Sequence, residues 1–254
     1  MMRTATATYW LTKRALREAL RQPEVELPQI LIPLFFLATI IGAANQIAPQ
    51  AFGVSNYTGF QVPVAMVQAV AGVASVSGIV MVTDIERGYF DKLLLTPTPR
   101  IALVLSRLVA DAVRATVVST VILVVGLAIG SPLEAGVGGA VILVLLMGAF
   151  GAAYSGIGLA ISLRTGNPQA AQLGILIFFP LLFLSTAFAP KEVFEPWLET
   201  VAEFNPVTYL LAGMRSLVLE GWDGADLGYA FAAVGGIGGF SLGLTMLALR
   251  LRAR

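Results

Sequence analysis

Arg107, Asp111 and Arg114 are the residues of this chain best spaced for electrostatic work, because steps of four and three put them on one helix face within pairing distance. They sit at the edge of an apolar stretch. That placement fits best a self-satisfied ion pair snorkelling toward headgroups, with a relay of motion from the loop that precedes it as the alternative. Catalysis would need partners that are missing. The chain has 0 His and 0 Cys, which removes disulfides, thiol nucleophiles, the commonest metal ligands and the usual general base near neutral pH. "AYSG" at 153–156 is the nearest approach to a serine-nucleophile elbow, but it lacks the first glycine, and no imidazole can activate Ser155. No apolar stretch carries an acid near its centre, so neither a paired-carboxylate mechanism nor the buried ion relay of a secondary transporter is expected. No Gly-x-x-x-x-Gly-Lys-Ser/Thr run cradles a phosphate. The expectation is a non-catalytic chain with no metal or cofactor of its own.

The elements that position these residues are long apolar runs. Of 254 residues, 57% are hydrophobic and 12% charged, and the mean hydropathy is +0.84, against roughly a quarter charged residues in soluble domains. A hydrocarbon core needs about 20 apolar residues per helix. Six stretches qualify: 28–48, 61–83, 107–130, 136–163, 170–188 and 226–249. Lipid offers no water to open backbone, so an all-α integral membrane protein is expected. The apolar run at 28–48 follows a long charged segment and exceeds a signal-peptide core, so it is read as a permanent span.

Charge sets the orientation. Arg3, Lys13, Arg14, Arg17, Arg21, Arg87, Lys92, Arg100, Arg164, Arg250, Arg252 and Arg254 fall in one set of segments, and only Lys191 and Arg215 in the other. The positive-inside rule then places both termini in the cytoplasm. Acidic residues Glu192, Glu195, Glu199, Glu203, Glu220, Asp223 and Asp226 gather outside. Net charge is +1, which gives nucleic acid no field to follow. Residues 1–27 are expected to form an interfacial helix, with Arg14, Arg17 and Arg21 on one face and Tyr9, Leu16 and Leu20 on another. No linker or repeat divides 1–254, which is read as one membrane domain.

"DIERGYFDKLLLTPTPR" at 84–100 interrupts the second and third apolar runs with six charges and two prolines. Ile85, Tyr89 and Leu93 form a stripe at four-residue spacing, Arg87 and Asp91 can pair across one turn, and Asp84 and Glu86 suit a helix N-terminus. Pro97 and Pro99 stop the helix. The segment is thus read as a short amphipathic helix exposing aromatics to a partner's groove. Further on, 194–204 reads as a second amphipathic helix, with Trp197, Val201 and Phe204 inward, and Gly235, Gly239 and Gly243 permit close helix approach by the last span, within the subunit in preference to a dimer seam.

Glu86, Arg87 and Gly88 followed by "KLLLTPTPR", with Leu94, Thr96, Pro97 and Arg100 in place, resemble the signature of type-2 ABC exporter permeases, the family that includes the daunorubicin/doxorubicin resistance permeases. A second stretch, 178–221, is similar to the fifth span and external re-entrant element of that family, with Pro180, Ser185, Phe188, Pro190, Pro196, Trp197, Asn205, Pro206, Thr208, Tyr209 and Arg215 at matching places. "STAFAP" departs from the glycine that many relatives carry after the serine. The resemblance implies a cytoplasmic coupling helix at 84–100, in which Phe90 joins the residues named above, and an external re-entrant region at 189–225. It implies an ATPase partner that binds ATP and Mg, a second permease copy, and export across a prokaryotic plasma membrane of a hydrophobic or amphipathic drug, lipid or natural product. It also points to Met66, Gln68, Val73, Phe178, Phe179, Leu182 and Phe183 as a substrate path. Pro180 is either a hinge or simply tolerated. An ATPase-independent scaffold and a secondary transporter are the competing classes.

Overall fold

The computed structural model describes residues 4–252, all helices and connectors; Arg3 and Arg254 lie outside the described residues. The order is α1 (Thr4–Ala19), α2 (Pro23–Ala44), α3 (Ala48–Phe52), α4 (Tyr57–Glu86), α5 (Tyr89–Leu94), α6 (Arg100–Ala128), α7 (Gly136–Thr165), α8 (Pro168–Ala171), α9 (Leu173–Phe183), a 3-10 turn (Lys191–Val193), α10 (Pro196–Glu203), α11 (Pro206–Arg215), a π-helical turn (Ser216–Glu220) and α12 (Gly224–Arg252). Five of these, α2, α4, α6, α7 and α12, are long and apolar enough to cross a membrane.

The sixth expected span, 170–188, is not a continuous helix. α8 ends at Ala171 and α9 runs only Leu173–Phe183, about 16 Å at 1.5 Å per residue, against the roughly 30 Å of hydrocarbon. Pro180 lacks the amide that would continue the ladder, and the chain turns after Phe183. The free carbonyls at this end are taken by distant side chains. Asn205 Nδ2 donates to Leu181 O at 2.6 Å, and Arg215 donates to Thr186 O at 2.8 Å and to Ala187 O at 3.2 Å. A helix end that the sequence leaves open is thus capped from α11.

α4 is the central helix, buried along most of its length. Glycines let its neighbours approach. At Gly78, Ser162 Oγ donates to the carbonyl at 2.7 Å, and an added Cβ would stand 3.1 Å from Gly158 O. α7 runs parallel to α12, since Ala153 faces Gly238, Thr245 donates to Gly156 O, and Arg252 reaches Leu163 O. Two parallel neighbours require the chain to return between them, and the broken path through α8 and α9 makes that return.

Two packing expectations are corrected. Gly235, Gly239 and Gly243 meet nothing within 4 Å; α12 approaches α7 through Gly238, Ser241 and Thr245 instead. Trp197, Val201 and Phe204 are outward, at 63%, 39% and 83% exposure, while Ala202 is the buried residue of α10. In a protein bordered by lipid, an apolar stripe need not face the interior. In α1 the buried residues are Ala7 and Ala15, while Tyr9 and, just past the helix, Leu20 are exposed.

Candidate coupling site

The apolar pattern of α4 runs unbroken into Asp84, Ile85 and Glu86, so the helix ends at Glu86 and not before the charged segment. Gly88 then adopts a left-handed φ of +66° and starts the six-residue α5, a conformation that glycine takes without a Cβ penalty. The segment is therefore two helical pieces hinged at Gly88, not one amphipathic helix. Among the described residues no ion pair joins Arg87 to Asp91; both side chains are exposed.

Asp84 sits at the C-terminal end of α4, where the helix dipole disfavours an anion. It is 6% exposed and is neutralised by two cations. Arg107 of α6 bonds Asp84 Oδ2, and Arg14 of α1 donates to Oδ1 at 3.3 Å. Burial works against the charge of Arg14, but the hydrogen bond and charge of Asp84, helped by Tyr89 and Glu18, outweigh it and hold the guanidinium above its ordinary value. The same guanidinium stacks 3.8 Å from the Tyr89 ring centroid. One ion-paired knot thus ties α1, the end of α4, α5 and the start of α6.

Beside it lies a second pair set. Arg114 donates to Asp111 Oδ1 at 2.8 Å and to Glu26 Oε1 of α2 at 2.6 Å. Arg107, Asp111 and Arg114 therefore do not form one closed triplet; Arg107 turns to α4 and Arg114 to α2. The sequence missed Arg14 and Glu26 as members of this network, because their partners lie 70 and 88 positions away; Glu18 joins it only through Arg14, one helical turn before it. Thr12 Oγ1 adds a bond to Ser106 O at 3.1 Å, fixing α1 along α6.

Within α5, Phe90 is 3% exposed and packs with Met81, Leu103 and Val104; Ile85, Leu93 and Leu94 lie against the same cluster. Tyr89 and Leu93 are half-buried. The aromatics thus hold the loop onto the helices and are not offered to a partner. The outward surface consists of Glu86, Arg87, Asp91, Lys92, Leu95, Thr96, Pro97 and Arg100, with Leu95, 89% exposed, as its apolar tip. Thr96 Oγ1 donates to Leu93 O at 2.7 Å and closes the turn before the prolines, and α6 begins at Arg100.

At the opposite end, Asn205 caps α11 by accepting from Val207 N at 3.0 Å, with Pro206 at the first helical position. Arg215 is 8% exposed without a carboxylate partner among the described residues. Its charge is met by carbonyl dipoles, including Phe60 O at 3.2 Å, and by the Phe60 ring 3.4 Å from its guanidinium carbon. Of the substrate-path residues, Met66, Val73, Phe178 and Leu182 are buried inside the subunit. Phe179 and Phe183 are exposed, and Gln68 is half-buried.

This is a helical, multi-span membrane protein with a braced polar loop at one end. A family model described as ABC-2 type transporter matches residues 6–219, and the chain belongs to that family. It is similar to a daunorubicin resistance ABC transporter permease of Streptomyces coeruleorubidus, 27% identical over 193 residues, 74% of this chain and 66% of that protein. It is also similar to a putative transport permease of Porphyra purpurea, 26% identical over 208 residues, 81% of this chain and 71% of that protein. A probable multidrug ABC transporter permease of Escherichia coli K12 is 28% identical over 168 residues, 65% of this chain and 45% of that protein. The matched part is under two thirds of the Streptomyces and Escherichia proteins.

Proposed function

We propose that this chain is the non-catalytic membrane subunit of an ATP-driven exporter, moved by a separate ATPase that docks on residues 84–100. The observation that supports this most is the knot at Asp84. A loop that merely connected two helices would need no buried carboxylate holding α1, α4, α5 and α6 together, whereas a loop that receives force must transmit it without flexing. Family membership supports the same reading, since relatives are named as ABC transporter permeases. ATP and Mg would be bound by the partner, and the chain would work with a second copy or a homologous permease.

The end carrying Arg87, Lys92, Arg100, Arg164 and Arg252 is the cytoplasmic end in this reading, with both termini there, in a prokaryotic plasma membrane. Cargo would be a hydrophobic or amphipathic drug, lipid or natural product. Of the path candidates, Phe179 and Phe183 are placed to line a route at the subunit surface. The four buried residues would reach it only after the helices move.

The test is co-purification of the ATPase with the full chain. Leu95→Asp and Arg87→Glu alter exposed side chains, so the helical subunit should fold as before while the recovered ATPase falls at least tenfold. Undiminished recovery with both substitutions present would refute docking at this loop.

A further inference from the structure

α1 turns into α2 at Gln22–Pro23, and the elbow leaves a groove against α6. Leu16, Leu20, Leu27, Ile30, Val113 and Val117 line it, and its volume of about 400 Å³ falls within the roughly 300–1,000 Å³ of small-molecule sites. Its walls stay open. Leu20 is 83%, Leu27 50% and Val117 57% exposed. On a different face of α1, Arg14, Arg17, Glu18, Arg21 and Gln22 border a polar depression. Arg14 and Glu18 are engaged with each other, and Arg14 also with Asp84. Arg17 and Arg21 are exposed one helical turn apart, and neither is paired with a carboxylate among the described residues. Glu18 and Glu24 each lie three positions from Arg21; Glu18 is held by Arg14, and Glu24, exposed in the first turn of α2, leaves the two guanidiniums in excess.

We propose that this elbow binds one anionic phospholipid from the adjoining leaflet, an acyl chain lying in the groove and the phosphate on Arg17 and Arg21. An apolar slot and two unpaired cations carried on the same short segment at a membrane surface match the two halves of such a lipid, the long arginine side chains reaching round the helix to the phosphate. A zwitterionic lipid fills the slot but brings its own cation toward the arginines. A second copy of this chain would bring another Arg17 and Arg21 against the first, so like charge opposes that occupant. The Arg114–Glu26 pair at the groove's inner end is mutually satisfied and takes no part in headgroup binding.

The test is native mass spectrometry of the delipidated full chain titrated with palmitoyl-oleoyl phosphatidylglycerol or phosphatidylcholine. The intact chain should bind one phosphatidylglycerol in preference to phosphatidylcholine by about tenfold or more, since each surface arginine contributes roughly fivefold. Arg17→Gln with Arg21→Gln should abolish the preference and leave phosphatidylcholine binding unchanged. Val117→Trp, which fills the groove from an exposed position, should weaken both lipids. Free glycerol phosphate should displace neither. Any one of three results overturns the proposal: an unchanged preference in the double arginine variant, displacement by glycerol phosphate alone, or loss of a dimer on Val117→Trp with lipid binding intact.

Discussion

At the scale of single residues, Asp84 and Arg215 are buried charges satisfied in opposite ways, and each makes a separable prediction. Asp84→Asn leaves Arg107 without its anion, and breaking such a pair costs about 3 kcal/mol, the low end of the range for buried ion pairs; the half-exposed Arg14 adds little. Glu86→Gln, two positions on and exposed, should stay within about 0.5 kcal/mol. Thermal unfolding of the detergent-solubilised chain checks both, and equal midpoints for the two variants would contradict the buried brace. Arg215→Met strands the carbonyls of Phe60, Thr186 and Ala187, so it should lose at least about 3 kcal/mol in the same assay.

At the scale of elements, Asn205 and Arg215 cap one helix end together, so their losses should not add. The Asn205→Ala, Arg215→Met double variant should cost less than the sum of the singles, and strict additivity in the cycle would separate the two caps. Gly88 is the hinge between α4 and α5. An added Cβ meets nothing within 4 Å there, and only the φ of +66° opposes it, so Gly88→Ala should cost about 1–2 kcal/mol, with Gly88→Asn cheaper.

The same elements show what the sequence can reveal. Unbroken apolar runs gave the five long helices, and glycine, proline and clustered charge gave the position of the 84–100 loop. Gly88 was a visible helix stop, yet four-residue spacing across it suggested a single helix. The interruption of the expected span 170–188 had no adequate local signal. Pro180 is tolerated within membrane helices, and the groups that satisfy the freed end lie 24 and 29 positions on. The Asp84 knot was hidden for the same reason, and the outward stripe of α10 was misread because lipid reverses the usual link between apolar and inward.

At the scale of the whole molecule, the parallel course of α7 and α12 puts Arg164 and Arg252 at one end and Asp226 at the other. A chain without cysteine allows single-cysteine mapping. In sealed vesicles, Leu95→Cys and Val193→Cys should react with a membrane-impermeant maleimide from opposite sides, and labelling from one side would overturn the orientation. The most direct test of force entry is photo-crosslinking in the intact membrane complex, with the reactive group placed at Leu95 or at Trp197. An ATPase adduct at Leu95 and none at Trp197 is the predicted result. An intact, ATP-hydrolysing complex that gives no adduct at Leu95 would contradict it.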